Sequence, residues 1–401
     1  MNWETLRADE YCIAVKDGTH DTPKPVDFGY KLVTGKHVKN GQIDSSSAYY
    51  ISEEDYNAIN KRSMVERWDV IMSMIGTVGE AAVVKNDPDY AIKNVALFKC
   101  GGSEVRGKWL CYYLNSPEGK GKMLGEMKGS SQQFLSLKQL RELPIMFSEE
   151  KVPRIVEMIS NYDDLIENNQ KQIKLLEEAA QRLYKEWFVD LRFPGHENTK
   201  IVDGVPEGWR VASIADICDT VGGGTPSTKI QSYYEKGDIL WVTPTDITRN
   251  FSLALLDTEK KITPEGLKNS SAKMLPAETI LMTSRASVGF FGMCKYEVCT
   301  NQGFISCIPK RGNLQMYLLF NLKSRVEEIR QKAGGSTYLE ISKTVFRELK
   351  IILPKDEVLA EYQKNVHDIF DEIYCRTEMI KSLVDMRNRL LPKLMSGEVE
   401  V

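Results

Sequence analysis

The sequence repeats itself. Trp3, Cys12, Gly18 and Thr19 recur as Trp209, Cys218, Gly224 and Thr225, each 206 positions later. Farther along, Val70-Ile-Met-Ser-Met-Ile-Gly-Thr-Val-Gly79 matches Ile280-Leu-Met-Thr-Ser-Arg-Ala-Ser-Val-Gly289, and Leu140-Arg-Glu-Leu-Pro-Ile145 matches Phe346-Arg-Glu-Leu-Lys-Ile351. A common order of elements at a nearly constant offset makes the chain two copies of one unit. Its 401 residues also exceed what a single core usually supports.

Each copy ends in a heptad stripe. Val152, Ile155, Ile159, Tyr162, Ile166, Asn169, Ile173, Leu176, Ala180, Leu183 and Trp187 follow alternating steps of three and four. Leu359, Tyr362, Val366, Ile369, Ile373, Arg376, Ile380, Leu383, Arg387, Leu390 and Leu394 do the same, each 207 positions after its counterpart. The pattern predicts two helices of about 40 residues and roughly 60 Å, with a coiled-coil seam between them. A helix packed only on its own domain is the plainer alternative; equal length and register favour mutual pairing. Because the first helix delivers the chain to the second copy and the second starts there, pairing along their length is antiparallel, with the globular units expected at opposite ends. Asn169 and Arg376 share one seam position, where polar residues fix register.

Within each copy, Tyr30–Thr34, Asp69–Ser73, Ile239–Thr243 and Thr279–Ser284 read as β-type runs, whereas Trp109–Asn115 and Met316–Val326 read as helices. The expected fold is α+β. The boundaries are 1–148 for the first globular domain, 149–190 for the first long helix, 191–206 for a linker ending in Pro206-Glu-Gly208, 207–355 for the second domain and 356–395 for the second helix. The loop Val221-Gly-Gly-Gly-Thr-Pro-Ser227, and its partner Lys16-Asp-Gly-Thr-His-Asp-Thr-Pro23, fits either close approach to phosphate or a plain turn between strands.

The net charge of −3 divides as 0, −4, +5 and −4 over residues 1–148, 149–206, 207–355 and 356–401. Net negative charge is confined to the two segments that hold the long helices, which leaves the rest able to face phosphate. Eight scattered cysteines without a CxxC pair read as buried hydrophobes. No apolar run approaches a membrane span and the start lacks a leader pattern, so a cytoplasmic protein is expected.

Catalytic fingerprints are missing: the sequence holds no GxxxxGK[ST], GxGxxG, HExxH or GxSxG. His20, His37, His196 and His367 have no metal-ligand spacing, and the absence of any Pro-Pro pair excludes the motif with which amino-methyltransferases hold a flipped base. Neither a catalytic centre nor a metal is expected.

Gly-Gly-Thr-Pro-Ser227 followed by Tyr233-Tyr-Glu-Lys-Gly-Asp-Ile-Leu-Trp-Val-Thr-Pro-Thr-Asp-Ile247 resembles the specificity subunit of type I restriction–modification systems. Leu183-Tyr-Lys-Glu-Trp-Phe188 and Arg389-Leu-Leu-Pro-Lys-Leu-Met-Ser-Gly-Glu398 are similar to that family's central and C-terminal signatures. The resemblance implies two target recognition domains separated by paired helices that set the gap of a bipartite, asymmetric site in double-stranded DNA. It also implies two adenine-N6 methyltransferase subunits, which bring S-adenosylmethionine, and motor-nuclease subunits as partners. The first unit departs from the pattern at Asp17-Gly-Thr-His-Asp21, where the second has its triple glycine.

Base readout needs paired donors and acceptors at strand ends. The candidates are Thr19, His20, Thr34, Lys36, His37, Lys39, Ser73, Met74, Gln132 and Gln133 in the first unit. In the second they are Thr225, Ser227, Thr243, Thr245, Asp246, Arg249, Ser284, Arg285 and Ser287. A coiled-coil adaptor joining two protein-binding domains is the alternative, and it predicts no salt-dependent DNA affinity in any assembly.

Overall fold

The apolar runs that end at Ser73 and Thr283 are buried strands. The computed structural model describes residues 3–39, 41–75, 78–126, 134–335 and 338–400, and the chain divides into two units: Met1–Asp164 with Val384–Val401, and Leu165–Leu383.

In the first unit, Val70–Ser73 lies between Val95–Lys99 and Ala81–Val83 in a four-stranded sheet whose far edge is Ala14–Asp17. Side-chain alternation gives the strand two apolar faces. Val70 and Met72 join a cluster with Phe98, Trp109 and Leu110, while Ile71 joins Val33, Ile92 and Leu97. A three-stranded sheet holds Tyr30–Thr34 parallel to Tyr90–Lys93, with Tyr50–Ile51 antiparallel on the other side. Glu4–Arg7 pairs with Pro144–Phe147 and so brings the two ends of this segment together. The helix Glu104–Asn115 starts at the N-cap Ser103, five residues before the sequence reading placed it. The helix Glu53–Ser63 has no counterpart in that reading, although its N-cap Ser52, acidic first turn and basic last turn are a recognisable signature.

The second unit repeats this plan. Its four-stranded sheet runs Cys218–Val221, Phe304–Pro309, Ile280–Thr283, Phe291–Gly292, and its three-stranded sheet holds Ile239–Val242 between Lys261–Ile262 and the parallel Cys299–Thr300. Arg210–Ser213 with Lys350–Leu353 closes the segment as in the first copy. Residues 201–206 are a hairpin, not an open linker: Val202 faces Val205 across Asp203 and Gly204, both at positive φ. Asp-Gly supplies that two-residue turn without strain.

The long helices are Lys151–Tyr184, which continues into a π turn at Lys185–Val189, and Asp356–Ser396. In the first unit, Val152, Ile155, Val156 and Ile159 share a core cluster with Trp109, Leu394 and Met395. There Asp163 accepts hydrogen bonds from Tyr112 and Arg387, both at 2.6 Å. In the second unit Arg376 meets Asn169 at 3.0 Å and Tyr362 meets the Ala180 carbonyl at 3.5 Å, so partner numbers fall as the first helix advances and the pair is antiparallel. The seam residues Ile159, Ile166, Asn169, Ile173, Val366, Ile373 and Ile380 are buried, and Leu176, Leu183, Arg376, Leu383 and Leu390 partly so. The stripe is wider than a two-helix seam: Phe370, Tyr374 and Thr377 are buried too, with Thr377 hydrogen-bonded to Ser252. Each helix packs both on its partner and on a globular core, so the two packing alternatives hold together. Among the described residues, no helix is long and apolar enough to cross a membrane.

The polar seam pair yields a test. Asn169 is 4% exposed and receives Arg376, whose Nε is itself buried without a partner. Replacing Asn169 by Leu alone removes the acceptor from Arg376 Nη1, although Nη2 keeps Glu372 of its own helix at 2.6 Å, and should cost about 1–3 kcal/mol. Adding Arg376→Leu should restore or exceed the starting stability, since apolar replacement of a buried polar pair is often neutral or favourable. Thermal melting of the three chains checks this, and a single Asn169→Leu variant that melts higher than the parent would refute it.

Candidate nucleic-acid interface

The two buried strands end in matching turns. In the second unit the Thr283 hydroxyl donates to the Ser287 carbonyl and accepts from the Phe290 amide at 2.9 Å, and Gly289 N–H returns to the Thr283 carbonyl at 2.9 Å. Ala286 and Gly289 both take positive φ, which reverses the chain and leaves Arg285 exposed at the tip. The segment around Glu340 lies alongside: Ser284 accepts from Ile341 N–H at 3.0 Å, and Leu339 accepts from Ala286 N–H at 2.8 Å. Arg285 Nε sits 3.6 Å from Glu340 Oε2.

The first unit builds the same turn from Ser73, whose hydroxyl accepts from Glu80 N–H at 3.1 Å, and from Gly79, whose N–H reaches the Ser73 carbonyl at 2.9 Å. Ile75 pairs with Phe134, where the second copy pairs Arg285 with Glu340. A cavity of about 310 Å³ opens beside it, lined by Asp17, His20, Met74, Ile75, Phe134 and the segment Leu135–Leu137.

The glycine loop serves packing. A Cβ on Gly223 would stand 2.1 Å from the Thr300 carbonyl oxygen, and one on Gly224 2.4 Å from the Ser271 carbonyl carbon. Trp241 donates to the Gly224 carbonyl at 3.0 Å. The loop connects two strands and presents Thr225 and Ser227 at the surface. Thr225 donates to Gln302, a residue absent from the sequence candidates. In the first copy Asp17 is buried between Arg62 and His20, His20 also faces Asn94 at 2.9 Å, and Thr19 bridges to Lys93.

The remaining candidates separate by burial. Lys36, Lys39, Arg249 and Arg285 are exposed, and Thr34, Thr243, Thr245 and Ser287 partly so. His37 is buried and accepts from Thr34 N–H at 2.9 Å; burial, and after it the Lys36 charge, lowers its pKa. Ser73, Met74 and Ser284 are buried as well; Ser73 supports its turn through the hydroxyl, Ser284 through its backbone, and Met74 lies in the wall of the cavity. Asp246 is committed to capping: one oxygen takes Thr243 N–H and hydroxyl at 2.7 and 2.6 Å, the other Glu259 N–H at 2.8 Å. Thr245, Asp246 and Arg249 line a separate depression of about 360 Å³ with Phe251, Thr377 and Lys381. Gln132 and Gln133 lie outside the described residues.

Glu278, His367 and Asp371 bring metal-ligand atoms within 4.8 Å of one another. The Lys295 ammonium also sits 2.6 Å from Asp371, and His367 lies between the two carboxylates, 3.1 Å from Glu278 and 3.4 Å from Asp371. Seven cysteines are buried and Cys375 is exposed, against the expectation that all eight are core. Hydrogen bonding to Cys12 and Cys218, and then burial, raise the thiols of Cys100 and Cys307, which are poor nucleophiles as a result.

Residues 206–384 match the family described as the type I restriction modification DNA specificity domain. The MjaIX specificity subunit of Methanocaldococcus jannaschii is 39% identical over 173 residues, 42% of this chain and 39% of that one. The HindI specificity subunit of Haemophilus influenzae is 24% identical over 341 residues, 69% of this chain and 74% of its own length. This chain thus spans well under half of the first relative and about three quarters of the second. The crystal structure of a type I restriction–modification S subunit from M. genitalium has the same fold, with a TM-score of 0.55 over 98% of this chain and 96% of its own at 15% identity.

The turn at Thr283 can be tested directly. Thr283→Val keeps the side-chain shape but removes both hydroxyl bonds in a fully buried site. The expected loss is about 1–3 kcal/mol of stability, with faster amide exchange confined to residues 284–290. Unchanged exchange in that segment would show that the hydroxyl does not hold the turn.

Proposed function

We propose that this chain, which belongs to the family of type I restriction–modification specificity subunits, reads a bipartite and asymmetric site in double-stranded DNA, one half-site per globular unit, and carries no reaction centre. The observation that supports this most directly is the duplicated turn: one backbone frame, held by the same hydrogen bonds, carries Ile75 in one copy and Arg285 in the other. Two readers of one design with different tips suit a site whose halves differ in sequence. Base edges supply specificity, while exposed cations such as Lys36, Lys39 and Lys343 are suited to phosphate.

The helix pair is the spacer in this reading. An α-helix rises about 1.5 Å per residue and resists compression, so half-site separation becomes a property of the protein. The same helices offer the docking surface for two adenine-N6 methyltransferase subunits, which bind S-adenosylmethionine, and in a restricting assembly for motor-nuclease subunits.

Methylation mapping in cells that express this chain with an adenine-N6 methyltransferase subunit is the test. A split motif, methylated on opposite strands in its two halves, is expected. Removing one heptad from each helix takes out about 10 Å and should shorten the gap by about three base pairs, at roughly 3.4 Å each. An active methyltransferase whose motif does not depend on this chain would refute the reading, and an unchanged gap would refute the spacer.

A further inference from the structure

The two turn tips occupy one place in the duplicated fold. Gly79 and Gly289 both take positive φ and return to the buried hydroxyl residues Ser73 and Thr283. Leu135 N–H reaches Met74 at 3.3 Å, as Ile341 N–H reaches Ser284 at 3.0 Å, so Ile75 against Phe134 corresponds to Arg285 against Glu340. The backbone bonds are the same with side chains of opposite chemistry, which means the frame does not depend on these side chains. Nor are they core: Ile75 is 41% and Phe134 46% exposed, and the Arg285 side chain 48%. Two apolar side chains left open beside a cavity, and an arginine held by one edge of its guanidinium, are arrangements that face a ligand.

Resting on the DNA-reading function above, we propose that these tips are the specificity-determining positions of the two half-sites, with Arg285 reading a guanine and Ile75 with Phe134 reading the methyl group of a thymine. Glu340 engages Arg285 through Nε, and among the described residues no second partner is paired with Nη1 or Nη2. A guanidinium anchored at Nε presents two parallel N–H groups, the geometry that matches O6 and N7 of guanine in the major groove. An exposed ion pair is worth little to stability, so its value lies in fixing that orientation. Ile75 and Phe134 carry no side-chain donor or acceptor. In the major groove, an apolar contact of this kind distinguishes a base pair through the thymine methyl. Buried hydroxyls and a bridging segment support the described part of both turns, as direct readout requires.

The experiment maps methylation motifs for the full chain with its methyltransferase subunit, comparing the parent with Arg285→Gln, Arg285→Lys and Ile75→Arg, and records the melting temperature of each. Both Arg285 variants should relax one G·C position in one half-site, with discrimination there falling about 10- to 100-fold and the other half unchanged. Ile75→Arg should alter an A·T position in the opposite half-site alone. Retention of the parent motif by Arg285→Lys would show that charge without the paired geometry suffices, and would overturn the proposal. Relaxation at an A·T pair by the Arg285 variants would overturn it too, as would a uniform loss of methylation at an unchanged melting temperature. A parent chain that directs no motif at all would defeat the DNA-reading function itself, a result separate from any of these.

Discussion

Each globular unit is completed by the ends of long helices. In the first, the core that holds Phe98 and Trp109 also takes Val152, Ile155 and Ile159 from one helix and Leu394 and Met395 from the other. In the second, Tyr184, Trp187 and Phe188 pack with Tyr317 and Tyr362, with Phe188 4.7 Å and 4.8 Å from the last two. Fully burying an aromatic or large aliphatic side chain is worth about 1.5–3 kcal/mol, so removing a helix end removes part of a core. The central signature Leu183-Tyr-Lys-Glu-Trp-Phe188 therefore has a structural origin, as the aromatic anchor of the first helix.

Polar groups then fix what apolar packing leaves degenerate. A stripe of isoleucine and leucine tolerates a slip of one heptad at small cost. Asn169 opposite Arg376 favours one register, since a slip would lose the 3.0 Å bond between them and leave each with only its own-helix partner, Leu165 or Glu372. Asp163, receiving both Tyr112 and Arg387, does the same for the first unit. The turns follow this logic on a smaller scale: Thr283 and Ser73 are buried hydroxyls that accept from the backbone of Phe290 and Glu80.

The sequence revealed what is periodic or repeated. The duplication, the two long helices, their seam and the strands around 70–73 and 280–283 are local patterns, and the folded chain carries each of them. Burial is different, because it depends on which segments meet. His37 and Ser284 look like exposed loop residues in sequence but are buried, and Asp246 is consumed by the cap of its own short helix. Ile75 and Phe134 show the converse, since an apolar residue in sequence reads as core until its exposure is seen. The hairpin at Asp203-Gly204 and the helix from Glu53 had legible signals, an Asp-Gly turn between valines and a serine cap before three acids.

The charge distribution acquires a physical sense from the pairings. In the first unit several cations are spent internally, Arg62 on Asp17, Lys99 on Asp69 and Glu66, and Arg387 on Asp163. Asp69 in turn accepts from the backbone of Glu66 and Cys100, so Lys99 neutralises a carboxylate that burial would otherwise disfavour. Cations used in this way hold the fold and contribute little field outside it. On the proposed reading, such a unit contributes discrimination at its turn tips more than attraction to the phosphate backbone. With part of its charge spent in this way and differing tips in the two copies, the chain on this reading reads sequence at base edges, and part of the salt-dependent affinity comes from elsewhere in the assembly.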